Sequence, residues 1–213
     1  MQDQLTAELL LDAYRQGVFP MSEARDDPGV FWVNPVRRGI FPLGHFHISR
    51  SLKRIILKED YTVTVSQAFP DVVRACAERP ETWINETIFE LYCDLAKKQH
   101  AHSVEIWSDG QLIGGVYGVI IGAAFFGESM FSRKKNASKI ALAYLHHRLL
   151  HTGFLLFDTQ FLTRHLASLG AIEISRAGYR FKLQHALESK ADFLSPDYSV
   201  STLSVTQDNG QTS

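Results

Sequence analysis

Two apolar rhythms alternate along the 213-residue chain. After Thr6, a suitable cap, AELLLDAYRQ carries Leu9, Leu10 and Ala13 at helical spacing, and Gly17 is placed as the stop. In SRSLKRIILKED, Arg50, Lys53 and Arg54 fall on one helical face and Leu52, Ile55 and Ile56 on the other. YTVTV predicts a strand, and AFPDVVRACAE and TIFELYCDLAKKQ predict two helices after it. From Ala101 the period becomes two: HSVEIW and LIGGVYG flank SDGQ, whose Asp-Gly pair predicts a hairpin, and a second hairpin is expected near Gly122. Asn136 or Ser138 can cap a helix reaching His151 with Ile140, Ala141, Tyr144 and Leu145 inward. The run FLLF then predicts a buried strand with Asp158 and Gln160 at its end, followed by helices in LTRHLASL and YRFKLQHAL.

Four prolines lie between Phe19 and Pro42, which predicts an irregular linker with a boundary near Pro35. The expected organisation is an N-terminal helix and linker over residues 1–36, an α+β domain over residues 37–198, and a loose polar tail over residues 199–213. No internal repeat is visible.

Composition narrows the chemistry. With 45% hydrophobic and 21% charged residues the chain can bury a full core, and a net charge of -1 excludes nucleic-acid binding by bulk positive charge, so any polyanion contact needs a local basic patch. The segment MQDQLTAELL has no signal-peptide pattern, and no long apolar run occurs, which predicts a cytoplasmic protein with no membrane contact. Cys76 and Cys93 fit no metal or disulfide spacing.

Candidate catalytic motifs mostly fail. His147 and His151 in HRLLH share a helical face, but Arg148 stands where a zincin needs Glu, so no metal is expected. In GESMF, Phe131 replaces the last glycine of a nucleophile elbow. QLIGGV supplies Gln111 and Gly114 of a coenzyme A loop but ends in Val116 and runs through a hairpin, and no P-loop is present, so no cofactor is expected. Glu128 stands out as a lone carboxylate at the rim of an apolar run; an ion pair with Arg133 or a lysine is its structural alternative to a site role.

The strings AYRQGVFPM, FHISRSLKR, TWI, AHSVEIW, GGVYG, FFGESMFSR, NASKIAL, FDTQ and HLASLGAIEISR, in order and spacing, resemble the bacterial leucyl/phenylalanyl-tRNA-protein transferases from about Leu9 to Leu187. The resemblance implies a small N-terminal segment and a GNAT-like acyltransferase domain whose acyl donor is aminoacyl-tRNA, not acetyl-CoA. It further implies transfer of Leu, Phe or Met to the α-amine of proteins beginning with Arg or Lys, which marks them for N-end-rule degradation. Carried over by motif, the catalytic residues are Asp158, Gln160 and Glu128. Asp158 would orient the acceptor amine, Gln160 would accept a hydrogen bond from it, and Glu128 would meet the acceptor's cationic side chain.

The donor side-chain pocket maps to Val116, Phe125, Leu142, Leu145 and Leu149, and Trp83 is retained, while Met21 stands where some members have Trp in the contact to the terminal adenosine. Trp83 and Phe125 have core packing as their alternative role. Arg50, Lys53 and Arg54 are the candidate tRNA-binding face, and a monomer is the expected state. A coenzyme A-dependent N-acetyltransferase and a catalytically idle tRNA-binding module are the competing functions.

Overall fold

The computed structural model describes residues 5–27 and 29–207. Helix α1 (Ala7–Arg15) is capped by the Thr6 hydroxyl, which accepts from the Leu9 N–H at 3.2 Å. Its buried face is Ala7, Leu10, Leu11 and Tyr14, the i, i+3, i+4, i+7 set, so Leu9, expected inward, points outward at 41% exposure.

The Pro-rich linker is more ordered than its composition predicts. Strands β1 (Phe19–Met21) and β2 (Phe31–Val33) form a small antiparallel ribbon, and β3 (Arg37–Phe41) enters the main sheet. Three-residue strands carry too little alternation to stand out, and Pro20 is tolerated in a two-stranded ribbon made of edges.

The predicted alternation of strands and helices is otherwise present. It comprises α2 (Arg50–Ile56), β4 (Thr62–Val65), α3 (Phe69–Ala77), α4 (Glu86–Lys97), β5 (Ala101–Ser108), β6 (Gln111–Ile121), β7 (Ala124–Ser132), α5 (Ala137–His151) and β8 (Leu156–Gln160). A short α6 (Arg164–Ala167), β9 (Ile172–Ser175) and α7 (Arg176–Glu188) complete the domain. The tail expected to be loose contains α8 (Thr202–Gln207), whose Val205 and Thr206 are buried and which packs on α2 and α5; its two apolar residues, Leu203 and Val205, stand two positions apart and leave no helical stripe to read.

The chain is α+β, with a seven-stranded sheet in the order β4-β5-β6-β7-β8-β3-β9. Every pair is antiparallel except β7 and β8, which run parallel and are joined through α5. One core, holding Leu10, Tyr14, Val72, Tyr92, Tyr117, Phe126 and Tyr179, lies between the sheet and helices α1, α3, α4 and α7. The other, holding Leu52, Val116, Phe125, Leu145 and Val205, lies under α2, α5 and α8. Tyr117 and Phe126 point to the first core and their neighbours Val116 and Phe125 to the second, as strand alternation requires.

At the start of α5 neither predicted cap acts as expected. Asn136 occupies the N-cap with a left-handed φ of 70° and makes no side-chain cap bond, while the Ser132 hydroxyl accepts from the Ser138 N–H at 3.2 Å.

Candidate active site

The two parallel strands pair over only three residues, from Ala124 opposite Leu156 to Phe126 opposite Asp158. Beyond that point β7 continues as Gly127–Ser132 without β8 as a partner, and the strands part. Glu128 and Gln160 stand on the two sides of this parting. The opening holds a cleft of ≈ 80 Å³ lined by Val116, Gly127, Glu128, Ser129, Met130, Leu142, Phe157, Thr159 and Leu166, so most of its lining residues are apolar. By comparison a bound water needs about 10–15 Å³, so the space suits a small apolar group.

Glu128 is buried at 9% exposure and pairs with no cation among the described residues. Arg133, its candidate ion-pair partner, instead bonds Glu78 through Nη2 at 2.8 Å. Around the Glu128 carboxyl, Tyr14 and Gln160 Nε2 donate to Oε1 at 2.7 and 2.9 Å, and Tyr92 donates to Oε2 at 2.7 Å. Tyr14 and Tyr92 themselves approach to 2.8 Å. Burial pushes the Glu128 carboxyl up to about 7, against the lowering effect of Tyr92, Tyr14 and Gln160 and with a smaller push from the Asp158 charge.

Asp158 is also wholly buried, but beside a cation. Arg38 donates from Nε to Oδ1 at 2.9 Å and from Nη2 to Oδ2 at 2.6 Å, a bidentate pair. The Gln160 N–H donates to Oδ1 at 2.8 Å and Tyr179 donates to Oδ2 at 2.7 Å. A carboxylate has about four lone-pair directions, and here all are filled. The expectation that Asp158 touches the acceptor amine is therefore corrected: nothing of its side chain is left to offer. Its neighbour Arg38 lies between the rings of Phe19 and Tyr179, 4.7 and 4.5 Å from their centroids, and donates to the Gly17 carbonyl at 3.0 Å. Burial opposes the Arg38 charge, and Asp158 more than offsets this, holding the guanidinium above its ordinary value.

Gln160 is aimed by its backbone. Its φ of 61° lies in the left-handed region, at a cost of about 1 kcal/mol for a non-glycine residue, so the i, i+2 alternation expected to set it on the Asp158 face does not carry through. The Asp158 carboxylate holds this turn through the Gln160 N–H, and the side chain reaches Glu128 instead. Opposite it, β3 shifts register between Gly39 and Ile40, and a Cβ on Gly39 would sit 2.7 Å from Thr159 Oγ1 and 2.8 Å from the Phe161 backbone. Glycine is needed there by close approach.

Of the mapped donor-pocket residues, Val116 and Leu142 line the cleft. Phe125, Leu145 and Leu149 lie in the core behind it, at 1% exposure or less, because the inner face of α5 packs fully against the sheet. Met21 and Trp83 come together elsewhere, in an open depression of ≈ 380 Å³ that they share with Arg25, Pro80 and Thr82. Arg50, Lys53 and Arg54 are exposed on α2, as predicted, and form no ion pair among the described residues. His147 and His151 lie with rings 4.4 Å apart, and His147 Nδ1 contacts the Tyr198 hydroxyl at 2.7 Å. Sequence reasoning missed Tyr14, Tyr92, Arg38, Tyr179 and Thr159. The first four are aromatic or basic residues on elements remote in sequence, and Thr159, whose buried hydroxyl has no partner among the described residues, had only its place between Asp158 and Gln160 to mark it.

A parted parallel pair, an apolar cleft and a buried carboxyl–amide contact at its edge make this opening the candidate active site of an α+β domain. The family model described as leucyl/phenylalanyl-tRNA protein transferase matches residues 40–184, and that of its N-terminal domain matches residues 3–36. A Cereibacter sphaeroides protein named leucyl/phenylalanyl-tRNA–protein transferase is 61% identical over 209 residues, 98% of each chain. Proteins of the same name are 59% identical over 192 residues in a Ruegeria species (90% of this chain, 91% of the relative) and 60% identical over 189 residues in Ruegeria pomeroyi (89% and 90%). The chain belongs to the leucyl/phenylalanyl-tRNA–protein transferase family.

Proposed function

We propose that the protein moves Leu, Phe or Met from aminoacyl-tRNA to the α-amine of proteins beginning with Arg or Lys, and so marks them for N-end-rule degradation. The observation that carries this reading is the apolar cleft where β7 and β8 part, with Glu128 as the one ionisable residue of its lining, in a chain that belongs to this family. The donor's side chain enters between Val116, Met130, Leu142, Phe157 and Leu166. A hydrophobic site separates side chains differing by one methylene by only about 1–3 kcal/mol, so several apolar donors are accepted.

The reaction is aminolysis of an ester: the amine nitrogen bonds to the carbonyl carbon, the carbon–oxygen bond to the ribose breaks, and the amine's proton ends on the released ribose hydroxyl. The donor is already activated, so holding the amine at the carbonyl is the larger contribution. An α-amine has a pKa of about 8 and is partly neutral at neutral pH. Gln160 gives its amide N–H to Glu128, which leaves its side-chain oxygen to accept from the attacking amine. Asp158 is a positioning residue that fixes the Gln160 backbone and anchors Arg38. Glu128 meets the guanidinium or ammonium of the acceptor's first side chain. The terminal adenosine occupies the depression at Met21 and Trp83, and Arg50, Lys53 and Arg54 contact acceptor-stem phosphates.

One incubation tests the reading: Phe-tRNA and acetyl-CoA carrying different labels, with an Arg-initiated peptide. Label from Phe-tRNA on the peptide amine is expected. Acetyl label there, or neither, overturns it.

A further inference from the structure

The oxygens of Glu128, Tyr14 and Tyr92 make three mutual contacts. Tyr14 Oη lies 2.7 Å from Glu128 Oε1, Tyr92 Oη lies 2.7 Å from Oε2, and the two phenol oxygens lie 2.8 Å apart. Oxygen–oxygen contacts of this length each need a hydrogen between them. Two phenols bring two hydrogens, one each. With an ionised carboxylate that takes a hydrogen from each phenol, the Tyr14–Tyr92 side of the triangle would set lone pairs face to face between two fully buried side chains. Gln160 donates to Oε1 from outside the triangle and adds nothing to the count.

Charge balance gives the same answer by a separate route. The groups facing Glu128 are Tyr14 from α1, Tyr92 from α4, Tyr117 from β6, and Gln160 and Asp158 from β8, with Arg38 from β3 and Tyr179 from α7 behind Asp158. Arg38 is committed to Asp158 in a bidentate pair. A second ionised carboxylate would leave one uncompensated negative charge in the interior.

We infer that in the substrate-free enzyme Glu128 is a neutral carboxylic acid whose proton closes a ring of hydrogen bonds: the contact in which Tyr92 donates to an ionised carboxylate is reversed, so that Oε2 donates to Tyr92, Tyr92 to Tyr14 and Tyr14 to Oε1. We further infer that a cationic acceptor residue displaces that proton to solvent. The second half rests on the acceptor assignment proposed above. One positive charge enters the site as another leaves, so the interior stays neutral before and after binding. An acceptor beginning with a neutral residue brings no side-chain cation to exchange at Glu128, and selectivity for Arg and Lys follows. Tyr14 and Tyr92 are then positioning residues that store the proton until the exchange.

The test uses the full-length protein carrying glutamate labelled with carbon-13 at the side-chain carboxyl, followed by NMR from about pH 5 to about pH 9. One carboxyl resonance is expected to titrate in a single step centred about 7. It is expected to be absent from Glu128→Gln, whose amide supplies the third hydrogen and keeps the ring. Adding an Arg-Ala dipeptide at about pH 6.5, below that midpoint, is expected to move the resonance to its ionised position. If every glutamate carboxyl of the wild-type protein stands at its ionised position by about pH 6, the neutral acid is overturned, whether or not the variant folds. A resonance that stays in its protonated position with the dipeptide saturating the enzyme overturns the exchange. Failure of the dipeptide to bind, measured by calorimetry, overturns the exchange together with the acceptor assignment and leaves the titration of the free protein standing.

Discussion

Glu128 makes the folded protein hold a proton that the unfolded chain releases at lower pH. Its carboxyl is raised from 4.5 to about 7, so the folded state binds more protons than the unfolded state between those values, and the stability this gives is present at low pH and lost as pH rises through about 7. The predicted loss from about pH 5.5 to about pH 8 is about 2 kcal/mol. Glu128→Gln does not titrate, so its stability relative to wild type is expected to rise by that amount over the same interval in urea unfolding; a constant difference would count against the neutral acid. In transfer assays the same variant is expected to lose most activity on Arg- and Lys-initiated peptides. Asp158→Asn removes half of a buried ion pair and leaves Arg38 uncompensated, which typically costs about 3–5 kcal/mol. A lower melting temperature and strongly reduced turnover are expected, with aminoacyl-tRNA affinity retained in a filter-binding assay. Glu128, Asp158 and Gln160 were legible in the chain because each carries polar chemistry in or beside an apolar run. Their partners were not: Tyr14 and Glu128 are 114 positions apart, Arg38 and Asp158 are 120, and nothing local distinguishes a tyrosine that will share a proton from one that will fill a core.

At the scale of elements, the site depends on two strands that pair briefly and then part. The opposite side of β8 is held by β3 at Gly39, where an added methyl meets backbone that cannot move without moving Gln160. Gly39→Ala is expected to destabilise the fold by about 1–3 kcal/mol, as overpacking does, and to lower turnover further than the residual stability explains. Circular dichroism melts alongside single-turnover assays at a temperature where the variant is fully folded separate the two effects. Leu142→Phe narrows the cleft from the α5 side and is expected to reduce use of Phe relative to Leu by about tenfold or more, while Leu145→Phe acts on stability instead; an unchanged ratio in Leu142→Phe would remove that wall from the donor pocket. The amphipathic helices α1, α3 and α4 and the β5–β6–β7 meander were readable because many positions repeat one period. Strand β3 was not, because RRGIF buries Arg38 among apolar residues, and α8 was not, because its burial comes from docking on α2 and α5.

At the scale of the whole molecule, a net charge of -1 puts the burden of tRNA attraction on one exposed face. If Arg50, Lys53 and Arg54 neutralise about three phosphates, log K against log[salt] has a slope of about -2 to -3, and reversing the three charges flattens it. A slope that survives the triple reversal places the RNA elsewhere. The buried chain of contacts from Gly17 through Arg38, Asp158 and Gln160 to Glu128, with Tyr14, Tyr92 and Tyr179 attached, draws on the first helix and on the last long one. During synthesis, therefore, the cleft walls exist before the site does. A nascent chain that has emerged only as far as α6 has its donor groove but lacks the tyrosine from α7 that completes the aspartate's set of partners, so activity begins only when α7 has left the ribosome and docked.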